Sequence, residues 1–448
     1  MNKRTIKSFE EAVGYINEIP RFTSKHTLED TRNFLHHLGD PDSKMKIIHV
    51  AGTNGKGSVC AYLRSILEAA GYRVAIFTSP HLVDIRERFV SEGEMITEKD
   101  FLRIFLSIYE RLDWENLEDD RSDVYHPSYF EYLFFMAMVY FQERQPDYCI
   151  LETGLGGRLD ATNAVSKKEL SVITRIGLDH VEYLGDTLEQ IAAEKAGIMM
   201  AGVPAVCWDT NPATSRVFAD KAAKLGISAD FVSENDYRFL NFINKTIDFS
   251  LNTRYYGYIS LSLHTIAAYQ MENAAMAVRA LEVLDRGQTL KVQQIQAGIT
   301  ACFWAGRMEE VLPEVYVDGA HNADGIRAFL ETVARDGHGQ DSCGGSCKRS
   351  LLFSAVKDKD YESMAKALAG SMLFDKIVLA PLKSERRTST ETLKKIFSGY
   401  GSRCVVCDSV AEAFHNLLAE KRDKERIYVA GSLYLAGEIK ELVRDDKF

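Results

Sequence analysis

The sequence predicts an α/β protein built in two parts. A P-loop-type, doubly wound and mostly parallel sheet with a small antiparallel patch comes first, and a smaller C-terminal α/β (Rossmann-like) domain follows. Three observations carry this. Short β-branched runs alternate with segments of helical spacing along most of the chain. A glycine-rich turn joins the first such strand to the first such helix within residues 45–65, MKIIHVAGTNGKGSVCAYLRS. Between about 230 and 265 the apolar period changes to two, and near Trp304 a second α/β series begins.

In order, residues 8–18 and 28–38 carry helical periodicity ahead of the strand that contains Ile47, Ile48 and Val50. After the P-loop helix (Val59, Leu63, Ile66, Leu67), RVAIFTS at 73–79 reads as a strand and 98–113 as a helix. Ser128 to Phe141 is apolar and aromatic at helical spacing, hence a buried helix. DYCILET (147–153), LSVITRI (170–176) and VPAVCW (203–208) read as strands, with Leu188 to Met199 the clearest helix between them. NFINKTIDFSL and YYGYISLSL form the antiparallel patch, and a helix from Gln270 to Leu284 closes the first domain. EVYVD (314–318), SLLFSAV (350–356), KIVLAP (376–381), CVVCD (404–408) and RIYVAGS (426–432) supply the second sheet. The boundary is expected near residue 300, giving domains of 1–300 and 301–448.

A chain of 448 residues exceeds one ordinary core, which agrees with two domains. The net charge of −10 argues against a broad nucleic-acid surface. The start, MNKRTIKSFEEAV, has no signal-peptide core and no run is long and apolar enough for a bilayer, so the expected compartment is the cytoplasm and no membrane partner is expected. No exposed apolar stripe demands a partner subunit, so a monomer is expected. Cys60, Cys149, Cys207 and Cys302 read as small buried thiols. Cys404 and Cys407 sit on a strand whose side chains alternate between faces, and Cys343 and Cys347 sit in a Gly/Ser-rich insertion at 336–350. That arrangement argues against a zinc site, and the insertion is expected to be dispensable.

Chemistry converges on the strand ends. Gly52, Thr53, Asn54, Gly55, Lys56, Gly57 and Ser58 are expected to wrap nucleotide phosphates in backbone N–H groups, with Lys56 and the helix N-terminus supplying positive charge. The loop departs from the strict pattern, with Val50 in place of the first glycine and Gly57 after the lysine. Ser79, Glu152 and His180 follow three other strands, and Ser79 and Glu152 are oxygen donors of the kind Mg²⁺ prefers. The loop GLGGRLDATN (154–163) is expected to turn further N–H groups toward a ligand. In the second domain, Asp318, His321 and Asn322 end the strand EVYVD, behind Trp304, Arg307 and Glu309. Arg, Asp and His brought by a separate domain suggest a site completed by domain closure.

The chain resembles the folylpolyglutamate synthases and dihydrofolate synthases of the Mur-type ATP-dependent amide ligases. The resemblance runs nearly end to end, through HVAGTNGKGS (49–58), TSPHLVDIRERF (78–89), SYFEYL (128–133), LETGLGGRLDATN (151–163) and ITRIGLDHVEYLG (173–185). It continues through DTLEQIAAEKAGI (186–198), YQMENAAMAV (269–278), WAGRMEE (304–310), DGAHNADG (318–325) and AGSLYLAGEI (430–439). It implies that Lys56 and its loop hold ATP, and that Ser79, Glu152 and His180 are ligands of two Mg²⁺ ions. It further implies that Asn273, Arg307, Asp318 and His321 contact ATP or lie at the inter-domain site, and that Lys195 is carbamylated. Carbamylation agrees with electrostatics, since a bare ammonium beside Mg²⁺ would be repelled. The residues so implied in the chemistry are Lys56, His180, Lys195, Asp318 and His321. Ala305 and Ala323 replace prolines usual in the family, which removes no reacting group.

The implied reaction is ATP-driven transfer of L-glutamate to a folate carboxylate through an acyl phosphate. Polyglutamate extension of a reduced folate and synthesis of dihydrofolate from dihydropteroate are not separable from the segments SPHL (79–82) and RERF (86–89). A nucleotide-binding regulatory module without ligase activity is the alternative of another class, and the second domain's Arg307, Asp318 and His321 argue against it. A cell-wall Mur ligase would require a nucleotide-sugar substrate and a further N-terminal domain.

Overall fold

The computed structural model describes residues 3–20, 27–118, 125–209, 211–286, 289–335 and 348–445. Cys343, Cys347 and most of the insertion lie outside these residues. Three sheets organise the chain. The first contains β1 (Ile47–Ala51), β2 (Val74–Phe77), β3 (Phe89–Ser91), β4 (Glu94–Met95), β5 (Tyr148–Glu152), β6 (Leu170–Ile173), β7 (Ala205–Trp208) and β8 (Ala229–Val232), in the order β4-β3-β2-β5-β1-β6-β7-β8. β2, β5, β1, β6, β7 and β8 run parallel, and β3 and β4 are antiparallel additions at one edge. Every residue of β1, β2 and β6 is buried, as a parallel strand covered by helices on both faces requires.

The antiparallel patch is a three-stranded sheet of β9 (Tyr237–Ile243), β10 (Thr246–Thr253) and β11 (Gly257–Leu263), in the order β11-β10-β9. The C-terminal sheet contains β12 (Glu309–Leu312), β13 (Val315–Val317), β14 (Arg349–Phe353), β15 (Lys376–Leu379), β16 (Cys404–Val406) and β17 (Arg426–Ala430). Its order is β12-β13-β17-β14-β15-β16, parallel except for β12. Cys404 and Cys407 fall in separate core clusters of this unit, as alternation along a strand dictates.

The helix Tyr129–Arg144 is capped by Ser128, whose side chain accepts from the Glu131 N–H while Glu131 reaches back to the Ser128 N–H. Apolar around nearly its whole circumference, it lies at the centre of the first core, with Phe134, Phe135 and Phe141 fully buried.

Several expectations need correction. The helix expected over 98–113 ends at Tyr109, and that over 188–199 ends at Lys195 and tightens into a 3₁₀ turn, Ala196–Ile198. Gly197 there presses against the Arg158 backbone, leaving no room for a Cβ. The first domain does not close at Leu284: the helix Val292–Ala301 follows and lies against the P-loop helix, where a Cβ on Gly298 would overlap Ile66 Cα. Residues 349 and 350, placed in the insertion, already belong to β14. β3, β4, β8 and β12 escaped notice because strands of two to four residues show too little of the two-residue period.

Candidate active site

The registers Val50↔Glu152, Phe77↔Leu151 and Ala51↔Ile173 bring the carboxyl ends of β1, β2, β5 and β6 level, so the residues that follow them share one rim. After β1 the turn runs through Gly52 (φ +152°) and Gly55 (φ +88°) into the helix Lys56–Ala69. Both positions need glycine twice over. The backbone is left-handed there, and a Cβ would overlap Thr174 Oγ1 at Gly52 and Asn273 Oδ1 at Gly55. Gly57 lies under the Trp304 ring, where a Cβ would come within 2.9 Å.

One part of the phosphate-loop expectation is revised. The N–H groups of Thr53 and Asn54 both donate to the Arg175 carbonyl, at 2.9 and 3.2 Å, so they do not face the cavity. The donors left for an anion are the first-turn N–H groups of Lys56, Gly57 and Ser58, which have no carbonyl one turn back. The loop 154–163 is revised in the same way. Gly154 and Leu155 donate their N–H groups to Asp160 Oδ2, both at 2.8 Å, so these amides turn inward instead of toward a ligand.

Lys56 Nζ donates to the carbonyls of Gly52 (3.1 Å) and Thr53 (3.4 Å), and Lys195 Nζ reaches the same Gly52 oxygen at 2.8 Å. Read from sequence without the resemblance, Lys195 would be a surface lysine on a helix; it is buried beside Lys56. Burial first, and then the Lys56 charge, lower its pKa from 10.5 to about 7. Glu152 is also buried, and the backbone N–H of Ser79 donates to its Oε2 at 3.0 Å. Burial raises the Glu152 pKa, opposed chiefly by the Lys56 charge.

His180 caps the short helix Val181–Leu184 in a left-handed conformation (φ 51°, ψ 41°), a strained state for a residue with a Cβ. Its Nε2 lies 3.0 Å from Lys359 Nζ, and Lys359 also donates to Asp179 Oδ1 at 2.5 Å. Burial, followed by the Lys359 charge, lowers the His180 pKa to about 4, so the imidazole is neutral at pH 7 and accepts through Nε2.

From the second sheet, Asp318 directly follows β13. Its Oδ2 accepts from Tyr269 Oη (2.6 Å) and the Met308 N–H (3.0 Å), and its Oδ1 accepts from the Ala320 N–H (2.8 Å). Burial raises its pKa against the pull of Arg307. His321 Nδ1 donates to the Gly319 carbonyl at 2.8 Å, which leaves Nε2 directed toward Asp179 Oδ2 at 3.9 Å; burial lowers its pKa to about 4. Asn322 Nδ2 donates to Asn54 Oδ1 at 3.0 Å, joining the two halves of the cavity. Asn273 anchors to Gln270, which in turn donates to Ser58 Oγ at 3.2 Å.

Of the residues singled out from the sequence, Gly52–Ser58, Ser79, Glu152, His180, Lys195, Asn273, Arg307, Asp318 and His321 line one cavity, whereas Asn322, Trp304 and Glu309 lie outside its lining. A second cavity of about 700 Å³ shares Ser79, Gly154, Leu155, His180 and His321 with it and continues along Pro80, His81, Arg88, Tyr129 and Phe130. Asp179, Tyr269 and Lys359 were missed. Asp179 stood next to His180, and Lys359 follows the end of β14, the position that singled out the others.

The pattern described as the Mur ligase middle domain matches residues 112–281, and that of the Mur ligase glutamate ligase domain matches residues 306–433. The dihydrofolate synthase/folylpolyglutamate synthase of Bacillus subtilis (strain 168) is 31% identical over 98% of this chain and 99% of its own length. This chain belongs to the folylpolyglutamate synthase/dihydrofolate synthase family. The folylpolyglutamate synthase of Lacticaseibacillus casei, 30% identical over 98% of this chain and 100% of its own, is another such relative of this ligase. Among solved structures, E. coli FolC in complex with DHPP and ADP superposes with a TM-score of 0.83 at 28% identity, covering 100% of both chains. The Mycobacterium tuberculosis folylpolyglutamate synthase complexed with ADP superposes with a TM-score of 0.86 at 26% identity, covering 97% of this chain and 98% of that one.

Proposed function

We propose that this protein uses ATP to join L-glutamate to a folate carboxylate through an acyl phosphate, releasing ADP and phosphate. One observation carries this reading. Lys56, Glu152, His180 and Lys195 from the first sheet meet Arg307, Asp318 and His321 from the second in a single cavity that opens on a larger one. In these roles residues 1–300 form the ATP-binding unit and 301–448 the glutamate-ligase unit.

The folate carboxylate attacks the γ-phosphorus, and the bond to the bridging oxygen of ADP breaks. Lys56 and the first-turn amides are placed to offset charge on the phosphoryl oxygens. The glutamate amine then attacks the acyl carbon and loses its proton, and phosphate leaves as the amide forms. No protein nucleophile is required, so catalysis is mainly positioning.

Glu152, Ser79 and His180 fit the Mg²⁺ that accompanies ATP. Glu152 Oε2 is engaged by the Ser79 amide, while its other oxygen remains as a donor; the His180 Nε2 lone pair is held by Lys359 Nζ and would reach a metal only once Lys359 turned to another partner. Among the described residues no three His, Cys, Asp or Glu side chains form a self-sufficient metal site, so binding would depend on the nucleotide's phosphates. Bound there, Mg²⁺ would neutralise phosphate charge; the resemblance implies two ions. Lys195 and Lys56 share one carbonyl oxygen, and a carbamate on Lys195 would replace that repulsion with attraction. A mass gain of one CO₂ after incubation with bicarbonate, absent in Lys195→Ala, is the expected result.

On this reading the partners are small molecules, a reduced folate or dihydropteroate, L-glutamate and ATP, and the working unit is a monomer. The test is Mg²⁺- and glutamate-dependent phosphate release with tetrahydrofolate, with dihydropteroate and with no acceptor. Turnover with tetrahydrofolate alone means polyglutamate extension, turnover with dihydropteroate alone means dihydrofolate synthesis, and turnover with both means a bifunctional enzyme. Release with neither, from protein that binds ATP, overturns the proposal.

A further inference from the structure

The wall between the two cavities is held from behind by a chain of buried polar groups that touches neither cavity at its centre. Lys168 Nζ donates to His49 Nδ1 (2.9 Å), Asn163 Oδ1 (2.8 Å) and the Ile198 carbonyl (2.8 Å). With Nδ1 accepting, the His49 proton resides on Nε2 and is donated to Thr162 Oγ1 at 2.8 Å. The Thr162 hydroxyl donates to Asp160 Oδ1 at 2.5 Å, and Asp160 Oδ2 accepts from the Gly154 and Leu155 N–H groups. An ammonium and a carboxylate are thus joined through an imidazole and a hydroxyl, and His49 and Thr162 are wholly inaccessible.

Both ends bear on the site. The Asp160 end fixes Gly154 and Leu155, which line both cavities two and three residues after Glu152. The Lys168 end fixes Ile198, which ends the turn that follows Lys195. Gly157 packs within 3.0 Å of the Glu194 and Lys195 carbonyls by its would-be Cβ, and the Arg158 N–H donates to the Glu194 carbonyl at 2.8 Å. Displacement of either end would move Glu152's loop and Lys195 relative to each other. A buried network of this kind is rigid only while every link is made.

We propose that Lys168, His49, Thr162 and Asp160 form a positioning relay for ligation, setting the wall between the nucleotide and acceptor cavities and tying it to the helix end that carries Lys195. The proposal rests on the ligase reading, and its mechanical part is measurable without turnover.

Thr162→Val keeps the shape and removes the central hydroxyl, whereas Thr162→Ser restores it. The expected result for Thr162→Val is a fall in kcat of about 10- to 100-fold, the scale of a ~1 Å misplacement, with KM for ATP and glutamate changed by less than about twofold. Thr162→Ser is expected to recover kcat to within about threefold of the unsubstituted protein, because its hydroxyl can remake both links. Hydrogen exchange at the Gly154 and Leu155 amides is expected to speed up in Thr162→Val and return in Thr162→Ser. Should Thr162→Val fail to fold, Asp160→Asn, which has one acceptor oxygen fewer at the same volume, carries the same expectations. Unchanged amide exchange or unchanged kcat in a folded breaking variant overturns the relay. So does a loss that Thr162→Ser does not recover or that equally weakens ADP binding. An unsubstituted protein with no glutamate-dependent phosphate release overturns the ligase reading instead, while amide exchange still decides whether the relay holds the loop.

Discussion

Lys168 and Lys195 are buried to nearly the same degree, 5% and 4% exposed, and burial lowers both from a pKa of 10.5 to about 7. Their surroundings differ. Lys168 has an acceptor for each of its three protons, in His49, Asn163 and Ile198. Among the described residues Lys195 has one acceptor, the Gly52 carbonyl, and shares it with Lys56. Burial alone therefore does not distinguish a structural lysine from a chemical one; the count of satisfied donors does. The first is built into the protein interior, and the second faces the cavity with bonding capacity left for a ligand or a modification.

The largest effect should come from the loop that supplies the shared carbonyl. Lys56→Ala is expected to lower kcat/KM by about 10²- to 10³-fold, the loss that follows removal of one preorganised donor from a developing charge. Near-normal phosphate release would remove the nucleotide-loop assignment. The next test is the lysine pair. Lys195→Met should cost activity on the scale of about 10²-fold while leaving unfolding in urea unchanged or shifted to higher concentration, because it deletes a poorly partnered ammonium. Lys168→Met should instead lower stability by about 1–3 kcal/mol, since it takes the donor from His49 Nδ1 and Asn163 Oδ1, while the Ile198 carbonyl keeps Ser171 Oγ. Equal losses of stability in the two variants would break the comparison.

His321→Ala should be smaller, a fall in ligation of about tenfold, the worth of roughly one hydrogen bond, with unaltered thermal unfolding. Unchanged kinetics for all three substrates would argue against a role for the inter-domain site. The smallest effect is on pH dependence. Between about pH 7 and 10.5 the unfolded chain keeps the proton on each lysine that the folded protein has lost, so stability should rise with pH across that window. Lys168→Met should remove part of the slope. If Lys195 is carbamylated, bicarbonate should remove the other part, and a slope indifferent to both would contradict the burial of these ammonium groups.

Much of the site was legible because α/β folds place ligand-binding residues at the carboxyl ends of parallel strands. Lys56, Ser79, Glu152 and His180 were readable one strand at a time, and Asp318 and His321 likewise in the second sheet. Amide direction was not. A loop rich in glycine, 154–163, suggested N–H groups facing outward, and the single carboxylate of Asp160 turns Gly154 and Leu155 inward. The amides of Thr53 and Asn54 are similarly claimed by Arg175. The short strands β3, β4, β8 and β12 left too few residues to show a period.

The sequence by itself determined the strand–turn–helix units, the order of the two sheets along the chain and the residue types at the strand ends. These rest on local causes: β-branched runs, apolar periodicity, and glycines such as Gly55 that accept a left-handed backbone. Tertiary structure decided which of these groups remain free for chemistry. Lys359 meets Asp179 and His180 across about 180 residues, and Lys168 meets His49 across 119. Such pairings depend on how segments distant in the chain pack together and what each leaves unsatisfied. That is a property of the packed interior, where an unmet hydrogen bond is costly, and composition and spacing along the chain do not record it.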